Sequence, residues 1–183
     1  MTRRICILLT ALLLLSGTSF AATLTVPDVL TLTYPDDWED YGPDDRDDVK
    51  DEYYNLGFIC GTGDSDLNVS IDLYYFPEYA DLRLFELNEQ DAQDYADMLM
   101  EDYENASLLE IRRVGTHAIP FAILEAEDSY GLCYYAETLT NGWDLCISAY
   151  AYADSNYDAA RPLTEADLEL FLEIVDSVVP IVN

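Results

Sequence analysis

The sequence predicts an α+β fold: a single domain, mainly an antiparallel sheet, with helices packed on it. Three stretches carry that prediction. Asn141-Gly142 separates two runs of alternating apolar residues, and both residues tolerate the positive φ angles of a two-residue hairpin turn. Thr164 stands three positions before Asp167 at the head of an apolar stripe, which is the pattern of a reciprocal helix cap. Ala92, Tyr95, Ala96, Leu99 and Tyr103 recur three and four apart, so they share one helix face.

In chain order, residues 1–21 read as a leader. Arg3 and Arg4 begin it, Ile5 to Leu15 is almost wholly apolar, and Ser19 and Ala21 sit where a cleavage site needs small side chains. The apolar run is too short to span a membrane. Cys6 precedes that run, where a lipid-carrying cysteine would follow it. The expectation is a signal peptide cleaved near Ala21 and a single exported domain, 22–183, acting in the periplasm or outside the cell.

Thr23–Val26 and Leu30–Tyr34 read as strands broken by Pro27-Asp28. Pro35-Asp36-Asp37 turns the chain, and Trp38 folds back as an apolar anchor. Residues 36–52 form an acidic loop, in which ten of seventeen positions are carboxylates. Glu39 to Asp51 has almost no apolar period, so an exposed loop is expected there. Leu56–Gly61 and Leu67–Phe76 form a hairpin about the Thr62-Gly63-Asp64 turn. Pro77 to Leu87 reads as irregular, and Asn88 caps a helix running from Glu89 to Tyr103.

Four strands follow: Leu108–Val114, Ala118–Ala126, Leu132–Thr140 and Trp143–Tyr152. A tight turn at Asn141-Gly142 sets Thr138 against Leu145, Ala136 against Ile147 and Tyr134 against Ala149 on an apolar face. The other face carries Glu137 opposite Cys146 and Cys133 opposite Tyr150. The closing helix starts after Thr164. Leu163 staples to Leu168, and Leu168, Phe171, Leu172, Val175 and Val178 form its inward stripe.

This order resembles the PsbP-like superfamily, the α/β/α sandwich shared with small Ran-binding nuclear-import regulators. The matching features are the strand closing on Tyr34-Pro35-Asp36-Asp37-Trp38, the helix after the first hairpin, the run from Leu108 to Tyr152, and the terminal Phe171-to-Val178 stretch. The likeness spans about residues 24–179. It implies a scaffold or binding module without a shared catalytic set, and no functional residue transfers with it.

Charge narrows the partners. Removing Arg3 and Arg4 with the leader takes the formal net charge from −29 to −31. Such a surface repels nucleic-acid phosphates and anionic membranes, and attracts cations and basic partners. Cys60, Cys133 and Cys146 remain after cleavage, an odd number. Cys133 and Cys146 lie about four residues apart along their hairpin, ~13 Å, while a disulfide needs α-carbons within about 7 Å. Either one can instead pair with Cys60.

Several patterns invite chemistry. Asp64-Ser65-Asp66-Leu67-Asn68 starts like a calcium loop but has Val69 where the loop needs Gly and Tyr75 where it needs Glu. Strand alternation explains it better. Asp44, Asp45, Asp47 and Asp48 are the weak metal candidates, for loosely held calcium. His117 is the only histidine, and no Gly-x-Ser-x-Gly or HExxH motif is present. The fifteen tyrosines speak for a contact surface, since their rings are apolar and their hydroxyls need partners. Tyr135, Tyr150 and Tyr152, on the second face of the last hairpin, are the candidate binding surface. No cofactor is expected. The leading reading is a non-catalytic exported module binding an extracellular protein or surface component. The alternative is a weak calcium-binding accessory protein, and the third reading is a small hydrolase.

Overall fold

A seven-stranded sheet lies between two unequal covers in the computed structural model, which describes residues 20–26, 29–40, 53–60, 67–81, 88–128, 131–152 and 160–180. The strands are β1 (Phe20–Val26), β2 (Leu30–Pro35), β3 (Glu39–Asp40), β4 (Tyr53–Cys60), β5 (Leu67–Tyr75), β6 (Glu104–Val114), β7 (Ile119–Asp128), β8 (Gly131–Thr140), β9 (Trp143–Ala151) and β10 (Val179–Pro180). The helices are α1 (Glu89–Met100) and α2 (Glu165–Asp176). The large sheet runs β3-β4-β5-β9-β8-β7-β6, and β1-β2-β10 forms a small second sheet. Every pairing is antiparallel.

Period-two patterning builds the core. Leu67, Val69, Ile71 and Leu73 of β5 are fully buried, as are Leu145, Ile147 and Ala149 on β9 beside them. Leu24, Val26, Leu30 and Leu32 of the small sheet and Phe171, Ile174 and Val175 of α2 close this first face. Each of the Leu, Ile, Val and Phe side chains contributes roughly 1.5–3 kcal/mol of burial. The opposite face meets α1 through Ala92, Ala96 and Leu99.

The caps form as the sequence predicts. The Asn88 carboxamide oxygen accepts from the Gln90 and Asp91 N–H groups at 2.9 and 3.1 Å. At α2, Asp167 Oδ2 accepts from the Thr164 N–H at 2.7 Å while Asp167 N–H donates back to the Thr164 hydroxyl. Arg161 adds a fork onto the same carboxylate at 2.7 and 3.0 Å. Ser177 Oγ accepts from Thr33 N–H at 2.8 Å, which docks the end of α2 on β2.

Differences from the sequence reading have local causes. Helix α1 ends at Met100 and not at Tyr103, because Glu101, Asp102 and Tyr103 bond three residues back and tighten the chain out of the helix. Strand β6 starts at Glu104, four residues before Leu108. Its register shifts between Glu104 and Ser107, and again between Leu108 and Glu110, which erases the alternation there. Glu39-Asp40 is a short exposed edge strand on β4, not loop. In α2, Ile174 is fully buried where Leu168 and Leu172 are only partly so. Trp38 is buried as the expected anchor.

Candidate functional site

The second face of the large sheet carries the polar chemistry. Strand pairing sets its rows. Asp72, Cys146, Glu137, Ala122 and Ile111 line up across β5, β9, β8, β7 and β6. Ser70, Ser148, Tyr135 and Leu124 form the next row, and Tyr74 stands opposite Asp144. The predicted hairpin register is met at all three pairs named from the sequence and at Glu137 opposite Cys146.

Helix α1 covers only part of this face. It packs over β6 and β7 and reaches Tyr135, whose ring lies 4.5 Å from that of Tyr103. Ser70, Asp72, Asp144 and Ser148, on β5 and β9, stay half-buried, and Tyr74 is exposed. The result is an open polar strip beside a helix-covered half.

Under the edge of that cover sits a cluster of titratable groups. Glu137 is only 6% exposed and accepts from the Tyr103 hydroxyl at 2.6 Å. Burial, then the charge of Asp144, pushes its carboxyl up to about 7, against a smaller lowering by the Tyr103 bond. Asp144 is pushed up to about 6, by burial and then by Asp102. The Tyr103 hydroxyl also lies 3.8 Å from Cys146 Sγ. Burial, then neighbouring negative charge, raises the Cys146 thiol and the Tyr95 and Tyr103 phenols.

These directions decide what the cluster can do. A thiol with a raised pKa stays protonated and is a poor nucleophile. The phenols stay protonated too. Glu137 and Asp144 take up protons on mild acidification, and among the described residues no activated nucleophile stands beside them. The arrangement is a hydrogen-bonded cluster of mostly neutral groups.

Not every acid belongs to the charged surface that the composition implies. Glu137 and Asp167 are buried, and Asp144 is half-buried with its Oδ1 shielded from solvent. Asp167 is compensated by Arg161 and Thr164, and its pKa is lowered although burial alone would raise it. Only one signal in the sequence pointed to Glu137: its place opposite Cys146 on the hairpin's second face. Nothing local marked Asp144 or Tyr103, because their meeting is a tertiary event.

The other candidates fall as follows. Tyr135 is buried beneath α1, so it packs and does not present a surface. Tyr150 and Tyr152 remain half-buried, their rings 5.5 Å apart and edge to face. Asp44, Asp45, Asp47 and Asp48 lie outside the described residues. Among the described residues, no three His, Cys, Asp or Glu side chains converge as a metal would require. Cys133 and Cys146 are thiols, not bridged to each other; the side chain of Cys60 lies outside the described residues. His117 is exposed on the β6–β7 turn. The Ala126–Cys133 pair lies seven residues along β7 from Ile119, so that histidine is ~23 Å from the thiol at strand rise. Asn68 is buried, while Asn105 is exposed and donates to Glu127 at 2.9 Å. A groove of about 300 Å³ between α1 and β6 is lined by Glu89, Ala92, Gln93, Ile111 and Arg113. Among the described residues no helix is long and apolar enough to cross a membrane.

No protein-family model matches the chain, and no curated protein matches it. Several solved structures are similar to the chain. The cyanobacterial PsbP protein of Synechocystis is similar over 90% of this chain and 95% of its own, at 14% identity and TM-score 0.48. The Ran-binding protein Mog1p of Saccharomyces cerevisiae is similar over 90% and 97%, at 14% identity and TM-score 0.49. A Bacteroides thetaiotaomicron protein is similar at 12% identity and TM-score 0.48 over 90% of this chain, which spans 49% of that protein's length.

Proposed function

We propose that this chain is a non-catalytic binding or accessory module that meets a protein partner through the open strip of the large sheet's second face. The observation that supports this is the unequal covering of the sheet. One face is sealed by β1, β2 and α2, while α1 leaves Ser70, Asp72, Tyr74, Asp144 and Ser148 in reach of solvent. The strip mixes hydroxyls, carboxylates and an aromatic ring on a rigid strand pair, which is the composition of a contact surface. The absence of catalysis in this reading is supported by the protonated thiol and phenols beside Glu137. The leader-like first 21 residues support action after export, where the partner is an extracellular protein or surface component.

Site-specific photo-crosslinking tests the reading. A photoreactive residue at Ser148 is expected to give one discrete adduct in the producing cell, and one at Glu169 on the outer side of α2 none. Equal labelling from both positions, or none from Ser148, contradicts the proposal.

A further inference from the structure

An aromatic patch closes one end of the open strip. Tyr74, Phe76 and Tyr79 are 40%, 37% and 47% exposed, while the leucines beside them on β5 are buried. The patch is held in place. Phe76 N–H donates to the Gly142 carbonyl at 2.7 Å, and the ring of Phe76 meets that of Tyr79 at 6.1 Å, edge on. Tyr75, pointing the other way, lies 4.9 Å from Trp143 and anchors the strand end beneath.

Among the described residues its charged neighbours in sequence and across the strand pair are acidic. Between Leu67 and Asp81 the chain has no Lys or Arg but has Asp72, Glu78 and Asp81, of which Glu78 and Asp81 are exposed, and Asp144 stands opposite Tyr74 across the strand pair. Asp144 also holds a buried Oδ1 with no hydrogen-bond donor among the described residues.

We propose that Tyr74, Phe76 and Tyr79, with the neighbouring Glu78, Asp81 and Asp144, dock an arginine- or lysine-bearing segment of a protein partner. This rests on the binding-module reading and gives its partner a chemistry. A guanidinium stacks on an aromatic face and forks onto a carboxylate, so rings and carboxylates serve one ligand. Charge argues against the other occupants. A second copy carries the same net −29 and is repelled. A divalent ion alone gains nothing from the rings, and the described residues bring no three ligating groups together.

The test uses the full chain and a fluorescent ten-residue peptide of alternating Gly and Arg, with its citrulline counterpart as neutral control. The triple variant Tyr74→Ser, Phe76→Ser, Tyr79→Ser leaves the charge intact. A second variant, Glu89→Gln, Asp97→Asn, Glu169→Gln, removes charge away from the patch. Each exposed ring is worth ~2- to 5-fold, so the triple variant is expected to weaken binding about tenfold or more. The charge control is expected to weaken it less than ~3-fold, and the citrulline peptide not to bind. Tyr79→Ser alone, at about 2- to 5-fold, serves if the triple variant does not fold. Amide shifts should cluster at residues 74–81 and around Asp144. Unchanged affinity in the aromatic variants, or shifts spread over the acidic surface, overturns the proposal. If the peptide fails here while Ser148 still crosslinks a partner, the cationic chemistry is wrong and the binding face stands.

Discussion

Glu137→Gln isolates the energetics of the buried cluster. The folded chain holds a proton on Glu137 up to about pH 7, whereas the unfolded chain releases it near 4.5. The folded-state pKa is raised, so the folded chain binds more protons in that window and stability falls as pH rises through it. The favourable contribution is complete below about 4.5 and gone above about 7. The gap between the two values corresponds to about 3 kcal/mol. Glutamine keeps the shape and an acceptor for the Tyr103 hydroxyl but cannot ionise. Urea unfolding of both proteins from about pH 4.5 to about pH 8.5 should show near-equal stability at the acid end. At the alkaline end the variant should lead by ~2–3 kcal/mol, or ~5–10 °C in Tm for a chain of this size. A difference that stays constant across the range would mean that Glu137 does not change charge there, and would refute the reasoning.

Four further outcomes are expected. Tyr103→Phe removes the donor 2.6 Å from Glu137; the Glu137 titration followed by carboxyl-carbon NMR should move upward, with a stability loss of ~1–3 kcal/mol at neutral pH. Gly142→Ala forces a Cβ to 2.9 Å from the Phe76 carbonyl oxygen at a residue with φ of +80°, and should cost roughly 2–4 kcal/mol in chemical denaturation. Thr164→Ala breaks the α2 cap and should cost about 1 kcal/mol. Asp167 has a lowered pKa, so the stability lost in Asp167→Asn should be full near neutral pH and vanish as acid protonates the native carboxylate, as read by urea titrations at several pH values. Thermal melts check the others.

What the sequence made legible was local. Asn141-Gly142 dictated its own turn, and through it the register of β8 and β9 followed residue by residue. Thr164 and Asp167 declared their cap, and alternation in Leu67–Leu73 declared the core face. Helix α1 carried its stripe, but no stripe says which half of a sheet it will cover. Tyr135 was therefore readable as a second-face residue and not as a buried one. Glu137, Asp144 and Tyr103 come from β8, β9 and the segment after α1, so their cluster exists only once α1 docks. The small sheet beside α2 was legible as strands, while its role as part of the cover depended on the pairing of β10 with β2.

Hydrogen–deuterium exchange on the complex with the partner that Ser148 crosslinks tests the central claim most directly. The account predicts new protection in β5, β9 and residues 76–81, with α2 and the small sheet unchanged. Protection on α2 or the small sheet, with β5 and β9 exchanging as in the free chain, would contradict it.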